Sequence, residues 1–178
     1  MSEPTGPSTP LRPKKNHGWI YFFVFIFVAS IAATVLMIQY NLSIQLKPEQ
    51  LEANIKLWKE KGPTNYNLVY TKQLNDESKV DKFAVEVRAG KVTSVLMNGK
   101  QLEKGTDAEQ DPRIFHSMDQ HFRDLERFMD LDKKPDAPKV FVTAIFDDET
   151  GALRRYIRRV SGTKLRIEMH LTVTAVEK

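Results

Sequence analysis

The chain has 178 residues, no cysteine, and 27 Lys and Arg against 23 Asp and Glu, a formal charge of +4. Without cysteine there is no disulfide framework and no lipid-modified N-terminal cysteine, so any folded part must be held by its core. Three of the cations, Arg12, Lys14 and Lys15, sit in the N-terminal tail, which leaves the remainder near balance and without a general field for nucleic acid.

Residues 1–18 carry Pro4, Pro7, Pro10 and Pro13 among Ser, Thr and Gly, with almost nothing to bury, and are expected to be a disordered tail. Trp19 to Ile38 follows with no charged residue. A helix of about 20 residues covers roughly 30 Å, the thickness of a hydrocarbon core, so residues 19–40 are predicted to be a transmembrane helix. An export signal has a shorter apolar core ending at small residues. Here the best small triplet, Val28-Ala29-Ser30, is followed by more apolar residues through Ile38, which favours an uncleaved signal-anchor. Arg12, Lys14 and Lys15 precede the helix, whereas Lys47 stands beside Glu49 and Glu52 after it. That asymmetry predicts a cytoplasmic N-terminus at the cell membrane and an extracytoplasmic domain over 41–178, the bilayer being the first partner. Trp19, Tyr21 and Tyr40 suit the two interfaces.

Within 41–178, the tripeptide Asn41-Leu42-Ser43 is too common by chance to carry weight. Pro48 opens a helix with Glu49 and Glu52 in its first turn and Leu51, Ile55 and Trp58 at helical spacing. Gly62-Pro63 stops it. Alternation then predicts strands through Tyr66, Leu68 and Tyr70, through Phe83, Val85 and Val87, and over Val92 to Met97, a meander closed by Asn98-Gly99. Gln101 to Pro112 is polar and reads as a loop. Ser117-Met118-Asp119-Gln120 is a capping box that starts a second helix bearing Phe122, Leu125 and Met129 on one face. The last third is strand-like over Val140 to Phe146, Leu153 to Val160 and Lys164 to Val176, with turns at Asp147 to Gly151 and Ser161-Gly162. The order implies an α+β two-layer domain: an antiparallel sheet of five to six strands with two helices on one face.

Several of these runs resemble a known family. Trp58-Lys59-Glu60-Lys61-Gly62 leading to Tyr66 and Tyr70, Val85-x-Val87-x-x-Gly90-Lys91-Val92, Ser117 to Phe122, and Asp147-x-x-x-Gly151 are similar to an uncharacterised exported bacterial domain often carried on lipoproteins. The resemblance covers most of Pro48 to about Arg159 and implies a fold, with no catalytic residue to carry over. Two features depart from it: an uncleaved helix stands in place of a lipid anchor, and Leu153 occupies a position where such domains commonly have proline.

No motif for chemistry stands out. His116 and His121 are five apart, about 140° around a continuous helix, and would not share a ligand face. Asp147, Asp148 and Glu149 lack the bidentate acid of a calcium loop, Ile157 standing at that position, and read as a turn. G-x-S-x-G, glycine-rich phosphate loops and H-E-x-x-H are absent. No cofactor or metal is expected, and the chain reads as a binding or scaffold module rather than an enzyme. The alternative is an envelope-associated enzyme whose groups meet only in three dimensions. The one unusual surface feature is basic: Arg154, Arg155, Arg158, Arg159, Lys164 and Arg166 flank one hairpin. Alternation places Arg154 and Arg158 on one face, and Arg154, Arg158 and Arg166 are the candidate contacts for an anion or an acidic envelope partner. The plainer reading is a solvated strand pair balanced by Glu168 and the Asp147 to Glu149 turn.

Overall fold

The structure, a computed structural model, describes residues 18–75, 77–105 and 111–176. The predicted tail lies, except for Gly18, outside the described residues, and so does part of the predicted loop, residues 106–110. The chain divides into two compact units, residues 1–43 and 44–178.

Among its described residues the first unit contains one helix, α1, Gly18–Ser43, which has no charged residue and no buried side chain. It is long and apolar enough to cross a membrane.

The second unit is α+β. It contains α2 (Pro48–Lys61), β1 (Tyr66–Leu74), β2 (Val80–Arg88), β3 (Lys91–Met97) and β4 (Lys100–Gln101). A 3-10 segment over Pro112–His116 leads into α3 (Met118–Asp132), followed by β5 (Val140–Phe146), β6 (Leu153–Val160) and β7 (Arg166–Ala175). The strands form one antiparallel sheet in the order β4-β3-β2-β1-β7-β6-β5. Among the described residues the sheet therefore has seven strands, not five to six. The additional strand is β4: Asn98 and Gly99 both take positive φ, 51° and 81°, the conformation of a two-residue hairpin turn, so the chain folds back on β3 instead of leaving the sheet.

Two meanders, β1 to β4 and β5 to β7, are joined by the pairing of β1 with β7, from Tyr66 opposite Ala175 to Leu74 opposite Ile167. Tyr66, Leu68 and Tyr70 of β1, Phe83, Val85 and Val87 of β2, and Met169 and Leu171 of β7 are buried on a common face. The helices reach β1 through side chains of that row. Trp58 of α2 meets Tyr66 edge-on with ring centroids 5.4 Å apart, and His121 of α3 meets Tyr70. Leu51 and Trp58 of α2, and Met118, Phe122 and Leu125 of α3, complete the core. Pro48 begins α2 and the Gly62 N–H caps it on the Trp58 carbonyl at 2.7 Å, the stop expected of Gly-Pro. Leu153 is fully buried opposite Phe146.

Candidate functional site

The site is built where the 3-10 segment breaks into α3. The Asp111 carboxylate accepts from the Arg113 backbone N–H at 3.0 Å and from its guanidinium at 2.6 to 3.0 Å. Arg113 Nη1 donates to the Thr93 carbonyl of β3 at 3.0 Å. These bonds pin the 3-10 segment to the sheet. Ser117 then caps α3, its Oγ accepting from the Gln120 N–H at 3.2 Å, as the capping box predicts. The second half of that box is used elsewhere, since the Gln120 amide donates to Asp124 at 3.0 Å. Met118 N–H donates to the Tyr66 hydroxyl at 3.2 Å, seating the helix start on β1. Burial pushes the Tyr66 phenol up to about 12, so it stays a neutral hydrogen-bonding group.

Because the backbone changes direction at Ser117, His116 and His121 are not related by one helical rotation. Both converge on Tyr70. His116 Nδ1 is hydrogen bonded to the Tyr70 hydroxyl, and the His121 ring stands edge-on to the Tyr70 ring, 4.9 Å between centroids at 84°. Tyr70 is stacked on Phe83 at 4.6 Å, and His116 lies 5.0 Å from the same Phe83 ring. The divergence expected from a continuous helix is thus corrected by the cap. Among the described residues, no group of three or more His, Cys, Asp and Glu could hold a metal.

Around this cluster is a pocket of about 210 Å³ between α3 and the sheet. Its apolar wall is Phe83, Phe115, Leu125, Phe128, Ile167 and Met169, and its polar groups come from Tyr70, Lys72, His116, His121, Asp124 and Tyr156. His121 is 5 % exposed, and its Nε2 is fully shielded from solvent with no hydrogen-bond partner among the described residues. Burial, then the neighbouring His116 and Lys72, lowers its pKa to about 3, so the ring is neutral at ordinary pH. Burial and then Lys72 also lower His116, and burial followed by the Asp124 charge pushes the Tyr70 phenol well above its usual range. A neutral imidazole nitrogen with no partner in an aromatic pocket is the most distinctive polar feature of the unit.

The three arginines singled out in the sequence do not come together. Arg154 lies at a register shift between β5 and β6, exposed, with Nε 3.7 Å from Asp147. Arg158 stands opposite Ile167, on the helix side, where Nη2 and Nε meet the Asp132 carboxylate of α3 at 2.5 and 3.2 Å and the guanidinium covers the Phe128 ring at 5.3 Å. Arg166, one residue before Ile167, lies on the opposite face, 2.5 Å from Glu168. Arg155 and His170 reach the same Glu168 at 2.9 Å. Burial raises the Glu168 pKa, but hydrogen bonds from Arg155 and His170 and the Arg166 charge more than offset it and hold the carboxyl below its ordinary value. Simple alternation misplaces Arg154 because the irregularity between Leu153 and Arg155 breaks the two-residue period. The Asp147 carboxylate accepts from the Glu149 and Thr150 N–H groups and the Thr150 hydroxyl, at 3.0 to 3.2 Å, which makes the acidic run a turn.

Sequence reasoning missed the pocket. The signal that could have found it was the position of a cap residue, Ser117, between two histidines, since a cap implies a change of backbone direction. Residues 50–152 match the model of a family of unknown function (DUF6174). No curated protein and no solved structure matches the chain.

Proposed function

Since the chain belongs to the DUF6174 family of unknown function, we propose a role for it from its geometry: a single-pass membrane-anchored module of the bacterial cell envelope that binds a small ligand outside the cytoplasm. The carrying observation is the buried, unpartnered Nε2 of His121 in the wall of the aromatic pocket. A shielded polar atom without a partner costs about 1 to 3 kcal/mol, and a ligand that completes its hydrogen bond recovers part of that cost.

The anchoring reading is supported by α1, whose 26 residues carry no charge, and the orientation by the cations before it. The exported bacterial setting draws on the resemblance carried by the Trp58, Ser117 and Asp147 runs. The basic hairpin contributes less to this reading, because Arg154, Arg158 and Arg166 each face a carboxylate. An acidic envelope partner is therefore secondary to a pocket ligand, and nucleic acid is not a partner in this reading. The module is read as non-catalytic: no Ser or Thr nucleophile lines the pocket among the described residues, and a phenol held well above its usual range is a poor nucleophile near neutrality.

Protein-observed NMR on the full chain in nanodiscs, with the Phe rings labelled and a set of small polar and aromatic fragments added, tests the reading. Fragments are expected to contact Phe115 and Phe128. If none perturbs those rings, the binding role fails.

A further inference from the structure

The pocket restricts the chemistry of its ligand. A volume of about 210 Å³ is close to the space that holds one aromatic ring with a few substituents, given that a dry cavity of about 150 Å³ binds benzene. The wall offers three Phe rings, Phe83, Phe115 and Phe128, with Ile167 and Met169, surfaces suited to a flat apolar body.

The polar groups argue against a charged ligand. Lys72 and Asp124 both line the pocket and oppose one another in sign, so the wall favours neither an anion nor a cation. His121 and His116 have lowered pKa values and stand neutral beside Tyr70, so neither supplies a counter-charge to a carboxylate. An ion entering the pocket would lose its hydration without a net opposite charge to replace it.

The hydrogen-bonding groups without a partner among the described residues are His121 Nε2 and the hydroxyl of Tyr156. The tyrosine is buried, and its hydroxyl makes no hydrogen bond among the described residues. A neutral imidazole nitrogen is a donor in one tautomer and an acceptor in the other, and a tyrosine hydroxyl serves as either. A ligand hydroxyl matches both groups whichever tautomer is present. A carbonyl or an ether matches only a donor.

We infer that the pocket between α3 and the sheet takes a small neutral aromatic alcohol, a phenol, with its ring against Phe83, Phe115 and Phe128 and its hydroxyl on His121 Nε2. The inference rests on the binding role proposed above and names its ligand class. Recognition of the hydroxyl would make phenols preferred over ring-shaped hydrocarbons of the same size, since the hydrocarbon leaves the buried nitrogen unpaired.

The test uses the full chain in nanodiscs, with free ligand fixed by dialysis, and three probes: phenol, toluene and benzoate. Phenol is expected to bind about tenfold more tightly than toluene, the effect of one buried hydrogen bond, with benzoate weakest. Phenol, and not toluene, is also expected to shift the His121 ring nitrogen resonances, a readout that needs no substitution. His121→Leu should bring phenol down to the affinity of toluene, and if that variant does not fold, the ring-nitrogen shifts of the unaltered chain decide the matter. Equal binding of phenol and toluene at this pocket, or tighter binding of benzoate, overturns the phenol assignment and leaves the pocket as a binding site. Failure of all three probes to perturb any pocket residue overturns the assignment and removes its support from the binding role as well.

Discussion

A methyl group on Gly151 would stand 2.4 Å from the carbonyl oxygen of Asn54 and 2.9 Å from the backbone nitrogen of Trp58. The turn between β5 and β6 is therefore seated directly on the backbone of α2. Gly151 also has φ +74°, a left-handed conformation that disfavours a side chain. Gly151→Ala should destabilise the domain by about 2 to 4 kcal/mol, combining left-handed strain with overpacking. Gly162 shares the φ of +74°, but a methyl group there would have nothing within 4 Å, so Gly162→Ala should cost about 1 kcal/mol. Urea denaturation of both variants checks the difference, and equal losses would show that the contact with α2 is immaterial.

Trp58 has 5 % of its surface exposed, meets Tyr66 and Phe122 through its ring, and donates from Nε1 to Asp119 at 3.2 Å. Trp58→Ala should cost about 3 to 5 kcal/mol. Thermal melting unaltered by the substitution would contradict the packing of α2 on the sheet.

The Arg158 and Asp132 side chains are 15 % and 18 % exposed, and Arg158→Ala leaves Asp132 without its guanidinium partner. A loss of about 1 to 3 kcal/mol is expected. Arg154 is a mostly exposed partner of Asp147, and Arg154→Ala should change stability by less than about 0.5 kcal/mol. Comparable losses in the two variants, measured by denaturation at matched salt, would place both arginines in the same environment.

Acid should weaken the fold before ordinary carboxylates titrate. His121 has a pKa of about 6.5 in an unfolded chain and about 3 in the folded protein. Between those values the unfolded state binds more protons, so stability falls as pH drops, with a slope of at most about 1.4 kcal/mol per unit from this group. His116, also lowered, acts in the same direction, and Asp147 and Glu168 add to the loss only at lower pH. Denaturation midpoints between about pH 6 and pH 5 should therefore decline in the unaltered chain and less in His121→Asn. A flat profile in the unaltered chain would falsify the buried neutral state of this histidine.

Membrane topology is checked by a reporter joined after Lys178. The cations before α1 predict activity only from a reporter that requires export. Activity from a cytoplasmic reporter would reverse the orientation.

How much of this was legible in one dimension depends on the range of the interactions. The charge-free run of α1, the Pro48 start and Gly62 stop of α2, the Ser117 cap of α3 and the alternation in β1, β2 and β7 are all written within a few residues, because helix and strand periods and caps are local properties of the backbone. The family match over residues 50–152 lies within that same stretch. Three things were decided only by tertiary structure. The two meanders become one sheet through β1 and β7, a pairing between strands at opposite ends of the domain that no local pattern encodes. Arg158 turns inward to Asp132 while Arg166 lies on the other face, because strand register and a bulge, not the count of arginines, set which side each faces. His116 and His121 meet at Tyr70 because the chain is held to β3 by Arg113 and then bends at the Ser117 cap, so two side chains that a continuous helix would separate share one pocket wall.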